Sequence, residues 1–202
     1  MAVAPQRKPP RVSVELFRAF YDTRPDEEHW QLIDGVAVMM TPPTVPHQII
    51  ARNLEHLLSQ SLRNHAPSLT ALQGLGVNIA PPVQDYDPEP DVSVIDASMG
   101  REVGRRYIDR FYLAAEIVSS SDRLWVEKKR EIYNLHETCT CILTVQQDHI
   151  EVRVDLRVND SWSEVTFKRP NDPLVLADFG LRCRIADLYE GTALESVEAP
   201  KH

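Results

Sequence analysis

The chain has 202 residues, 43% of them hydrophobic and 26% charged, with 22 Lys and Arg against 30 Asp and Glu and a formal net charge of −8. That length and balance suit one soluble domain with a sizeable core, and no stretch approaches the roughly 20 apolar residues of a membrane span. The acidic balance excludes nucleic-acid binding through a general positive field; a nuclease stays open, because metal-binding carboxylates add negative charge and basic residues can cluster locally.

Residues 1–11 are proline-rich and basic without an apolar h-region, so they are expected to be a disordered arm and not a secretory signal. A single domain is expected over 12–190, followed by a tail over 191–202. Ser13 can cap a short helix, VELFRAFYD. HWQLI and VAVMM flank Asp34-Gly35, which predicts a β-hairpin. After TPPTVP, with Pro46 suited to a first helical turn, Ile50, Leu54, Leu57, Leu58 and Leu62 recur at helical spacing and predict a long amphipathic helix.

LTALQGLGVNIA predicts a strand whose two glycines allow a bulge or bend, and PPVQDYDPEP a loop. DVSVID predicts a short strand, ASMGREVGRR a turn-rich connection and FYLAAEIVSS a central strand. SDRLWVEKKREIYNLHE predicts a second main helix, capped by Ser121 or Asp122. CILTVQ, HIEVRVDLR and WSEVTFKR predict three strands, and IADLYE a short helical element. This order implies an α/β or α+β domain, a mixed sheet with two principal helices packed on it. Cys139, Cys141 and Cys183 are odd in number and show neither a disulfide framework nor a zinc spacing, which points to a reducing, cytoplasmic setting.

Glu116 lies in the most apolar part of FYLAAEIVSS. An unpaired buried carboxylate is costly, so it needs a proton, a donor or a cation. Alternation places it with Tyr112, Ala114 and Val118 on one strand face. Asp91, where the acidic loop becomes a strand, is one candidate partner; two neighbouring carboxylates would share a proton or an ion such as Mg²⁺ or Mn²⁺. On the next helix, Trp125, Ile132 and Tyr133, widened by Leu124 and Leu135, define an inward stripe, and Lys129 can reach inward beside Trp125 and Tyr133. Asp, Glu and Lys around a divalent ion suit phosphodiester hydrolysis. Arg123 or Arg130 could instead form a structural ion pair with Glu116, and Asp91 could simply cap a strand start.

WQLIDG at 30–35, His47, PDVSVID at 90–96, EIVSSSD at 116–122 and Lys129 with Tyr133 occur in an order that resembles the PD-(D/E)xK nuclease superfamily. More narrowly, the text is similar to a widespread bacterial family of restriction-endonuclease-like proteins. The resemblance covers residues 12–190 and implies a mixed β-sheet core of restriction-endonuclease-like fold, flanked by two main helices, with an N-terminal helix and hairpin. It implies Asp91 and Glu116 as metal ligands with the Ile117 backbone carbonyl, Lys129 as the catalytic lysine, Mg²⁺ or Mn²⁺ as cofactor, DNA as substrate and a homodimer. Gln31, Trp125 and residues 137–145 depart from the family text. A catalytically degenerate protein serving as a binding or assembly module is therefore the second expectation.

Overall fold

The computed structural model describes residues 11–79, 85–101, 107–119 and 123–195. Its first half contains α1 (Val14–Tyr21), the hairpin of β1 (Trp30–Ile33) and β2 (Val36–Met39), α2 (Val45–His65), β3 (Leu69–Gln73), β4 (Gly76–Val77), β5 (Val92–Asp96) and β6 (Tyr107–Ile108). There follow β7 (Leu113–Val118), α3 (Arg123–Leu135), β8 (Cys141–Gln146), β9 (Val152–Val158), β10 (Ser161–Phe167), β11 (Pro173–Leu176), β12 (Leu181–Arg184) and α4 (Ile185–Leu188).

Local chemistry sets the element ends. The Ser13 hydroxyl accepts from Leu16 N, and Thr44 accepts from His47 N, each supplying a cap for an otherwise unpaired amide. Asp34 and Gly35 both take positive φ, 53° and 70°, the backbone a two-residue hairpin turn requires. The expected caps of α3, Ser121 and Asp122, lie outside the described residues. Arg11, the last residue of the expected arm, is docked: its guanidinium meets Asp34 at 2.5 Å and Asp85 at 2.9 Å. The rest of that arm, and the tail beyond residue 195, lie outside the described residues.

Six strands form the main sheet, in the order β10-β9-β8-β7-β5-β3. Within it β7 and β8, joined by α3, run parallel; the other neighbours pair antiparallel. One face packs on α2. Ile50, Leu54, Leu58 and Leu62 of that helix are buried against Leu113, Ala115, Ile117 and Leu143. Each such side chain contributes about 1.5–3 kcal/mol by leaving water. The other face carries α3, where Ile132 and Tyr133 pack with Ala114, Phe111 and Ile142. The mixed sheet with a helix on each face agrees with the expected restriction-endonuclease-like architecture. Among the described residues, no helix is long and apolar enough to cross a membrane.

Two elements differ from expectation. LTALQGLGVN is not one bent strand: Gly74, at φ 63°, breaks it into β3 in the main sheet and β4, which pairs with β6 in a small separate sheet. The segment after β10 adds a hairpin, β11–β12, that closes the α2 side of the core with Leu174, Leu176 and Leu181. Its alternating residues are too few to stand out before α4.

Gly180 fixes how that hairpin meets α2. Its φ is +64°, and a Cβ there would lie 2.5 Å from the His65 Cβ. Gly180→Ala is expected to lower stability by at least about 1–2 kcal/mol, the ordinary cost of a side chain in left-handed backbone. A urea melt should show a lower midpoint at unchanged slope.

Candidate functional site

Strand register brings the two predicted carboxylates together. The ladder ends with Val92 of β5 opposite Ala115 of β7, which leaves Asp91, just before β5, at the end of β7 that carries Glu116. The loop before Asp91 is held by the hairpin. Gln31 accepts from Glu89 N at 3.3 Å and donates to Glu89 O at 3.4 Å. Asp91 Oδ2 in turn accepts from the backbone N of Ile117 at 2.7 Å. The aspartate is therefore fastened to the strand that carries the glutamate.

Glu116 is 6% exposed and Lys129 3% exposed. Lys129 Nζ donates to Glu116 Oε2 at 2.6 Å and lies 3.3 Å from Glu89 O. The Tyr133 hydroxyl donates to Glu116 Oε1 at 2.8 Å. Lys129 and Tyr133 sit four residues apart, one turn of α3, so both address the same carboxylate. The stripe that α3 turns inward is Val126, Lys129, Ile132 and Tyr133. Leu124 and Leu135, expected to widen it, are instead exposed.

Glu116 does not pair with Arg130, which reaches Asp155 and Glu164; the Arg123 side chain lies outside the described residues. Lys128 meets Asp34 at 2.5 Å and stacks over Trp125. Of the two adjacent lysines, Lys129 alone reaches Glu116.

His47 enters from the first turn of α2, with Nε2 3.3 Å from Asp91 Oδ2. Its Nδ1 is buried without a hydrogen-bond partner among the described residues. Burial works to lower the imidazole pKa, but Asp91, Glu116 and the Ile117 carbonyl outweigh it and leave the pKa raised. Burial pushes the Glu116 carboxyl up to about 7; Lys129 opposes that rise and the Asp91 charge adds to it.

The donor chemistry fits a hard divalent ion. Asp91 and Glu116 offer carboxylate oxygens and Ile117 a carbonyl, the oxygen set that Mg²⁺ and Mn²⁺ take. A cation there would relieve the Asp91 repulsion that adds to the rise of Glu116. Among the described residues no three His, Cys, Asp or Glu side chains gather into a metal cluster, so such a site would rest on two carboxylates and the backbone.

Two features were not anticipated from the residues alone. Gln31, expected as the loss of an acid, is the clamp on the Glu89–Asp91 loop. The second is a polar row beside Glu116: Thr144 of β8 pairs with it in register and Arg153 of β9 pairs with Thr144. Alternation in HIEVRVDLR carried that signal, but its polar face looks the same as one turned to solvent.

A model of the family described as "Uma2: Putative restriction endonuclease" matches residues 14–186. The chain belongs to this family. A crystal structure titled as a putative nuclease belonging to DUF820, from Anabaena variabilis ATCC 29413, superposes on this Uma2 chain with a TM-score of 0.68. It is 18% identical in sequence, and the match covers 88% of this chain and 97% of that one. At that identity the likeness shows the fold, which is restriction-endonuclease-like. No curated protein matches the chain.

The raised Glu116 pKa sets a sign for stability. Between the unfolded carboxyl value near 4.5 and the folded value near 7, the folded chain binds the extra proton. Stability should therefore fall as pH rises through that window and level off above it. His47, raised as well, adds to the fall in the same direction. In chelator-treated buffer, the urea midpoint is expected to drop from pH 5 to pH 8, and Glu116→Gln to flatten the drop; a variant as steep as the parent would refute the assignment to Glu116.

Proposed function

We propose that this Uma2 chain is a divalent-metal-dependent endonuclease that hydrolyses phosphodiester bonds in DNA. The observation that carries the reading is the buried amine of Lys129, 2.6 Å from a glutamate whose neighbour Ile117 donates its backbone N–H to Asp91. Taking the two charges out of water is costly, so the pair is weak evidence of a purely stabilising role.

Asp91, Glu116 and the Ile117 carbonyl would hold Mg²⁺ or Mn²⁺. When bound, the ion would polarise the phosphate and make a bound water more acidic. Lys129 orients the attacking water or offsets the negative charge that grows on the phosphate in the transition state. Tyr133 fixes the Glu116 carboxylate through its second oxygen, and Gln31 keeps the Asp91 loop in register. A homodimer would present two such sites, enough to cut two strands, in the cytoplasm.

One observation favours the rival reading of a catalytically inert binding module. Both Glu116 oxygens already have partners, and Asp91 has His47 beside it, so the charges are largely answered from within.

Two measurements separate the readings. Millimolar Mn²⁺ is expected to raise the melting temperature of the parent by several degrees, as ligand linkage requires. Asp91→Ala should abolish that rise. Supercoiled plasmid should be nicked by the parent with Mn²⁺, and the rate should fall at least 100-fold in Lys129→Ala. Equal plasmid loss from both proteins, with no metal-dependent melting shift, would establish the inert reading.

A further inference from the structure

Asp91 lies just before β5, beyond the last rung that pairs with β7, so the strand ladder does not fix its side chain. Two groups meet it instead, one from the sheet and one from α2. Ile117 N donates to Asp91 Oδ2 at 2.7 Å, and His47 Nε2 lies 3.3 Å from the same oxygen. Both contacts fall on Oδ2, so Oδ1 is the oxygen left for an incoming cation. The imidazole is itself held. Thr44, the cap of α2, accepts from His47 N and donates its hydroxyl to Gln147 Oε1. Gln147, just past β8, donates its backbone N–H to Val118 O at 2.9 Å. From Val118 the contacts run through Gln147, Thr44, His47 and Asp91 and return to β7 at Ile117, the neighbouring residue. This circuit locks the first turn of α2 against the end of β7 that carries Glu116.

The proton of the neutral imidazole has one favourable place. Nδ1 of His47 is sealed from solvent and has no partner among the described residues. A proton there would be an unsatisfied donor, and the bare Nε2 lone pair would be set against a carboxylate oxygen. On Nε2 the proton meets that oxygen as its acceptor, which assigns the tautomer from its surroundings. The same nitrogen argues against the imidazole as a metal ligand. A ligating histidine almost always donates its other ring N–H to an acceptor, and Nδ1 has none among the described residues.

We infer that His47 is a positioning residue: its Nε2–H holds Asp91 against the Ile117 amide, so that Oδ1 is kept in one place for a cation. The cation's part in this rests on the nuclease reading; the clamp on Asp91 does not. Partners that orient a ligand in this way typically change metal affinity by about 10–100-fold.

The test begins without metal. In chelator, hydrogen exchange of the Ile117 amide in the full chain reads the clamp directly, because that amide bonds to Asp91. Relative to the amides of β8, it should exchange at least fivefold faster in His47→Leu. In His47→Gln, whose side-chain amide can still donate, it should stay within twofold of the parent. Thr44→Val loosens the turn but leaves the imidazole; it should speed the same amide, and it carries the test if His47→Leu does not fold. The Mn²⁺ dissociation constant, by calorimetry, should weaken at least tenfold in His47→Leu and stay within threefold in His47→Gln. An Ile117 amide as slow in His47→Leu and Thr44→Val as in the parent overturns the proposal, and so does unchanged Mn²⁺ binding in His47→Leu. Mn²⁺ binding lost as fully in His47→Gln as in His47→Leu, with the amide still protected, would make the imidazole a ligand and overturn it too. If the parent binds no Mn²⁺ while the amide responds as expected, the nuclease reading falls and the clamp stands.

Discussion

A lysine and a glutamate, both almost wholly withdrawn from water, face each other at 2.6 Å between α3 and β7. Each alone would be strongly destabilising in that place, and together they still lose hydration that their attraction only partly restores. The surrounding structure is arranged around this fact. Tyr133 supplies a second donor to the carboxylate, Glu89 a carbonyl to the amine, and Gln31 the grip that keeps that carbonyl in place. An apolar substitute could fill the same volume at less cost, so the pair is held at the expense of stability.

The helix that brings the lysine is set by polar contacts as much as by its apolar stripe. Arg130 reaches Asp155, Arg153 reaches Glu127, and Arg157 donates to the carbonyls of Asn134, in the last turn of α3, and His136, just past it. β9 therefore buries Val152 and Val154 toward α2 while its opposite face holds the back of α3. Lys129 sits at the height of Glu116 because the whole helix is pinned along that strand.

The main elements were legible because their signals are local. Ser13, Asp34-Gly35 and the leucine stripe of α2 each state a cap, a turn or a face within a few residues. Asp91, Glu116 and Lys129 were legible for another reason: a carboxylate in an apolar strand and a lysine beside inward aromatics both violate ordinary patterning, and violations concentrate at sites. What stayed hidden depends on partners distant in sequence. Gln31 looked like a lost acid because its role exists only once the hairpin meets the 85–91 loop. Leu124 and Leu135 looked inward because a helical wheel weighs hydrophobicity, whereas α3 was rotated by the arginine and carboxylate contacts of its back. The break at Gly74 was visible as a glycine, but not the change of sheet that it produces.

The buried hydroxyl of Tyr189, just past α4, lies 3.0 Å from the Gln146 carbonyl and accepts from Glu151 N at 3.3 Å. Asn53 of α2 grips the same segment through the carbonyls of Leu188 and Glu190. The chain's far end is thus a keystone for the bend between β8 and β9. Trimming it would slacken the β8–β9 bend from behind, without touching Asp91, Glu116 or Lys129.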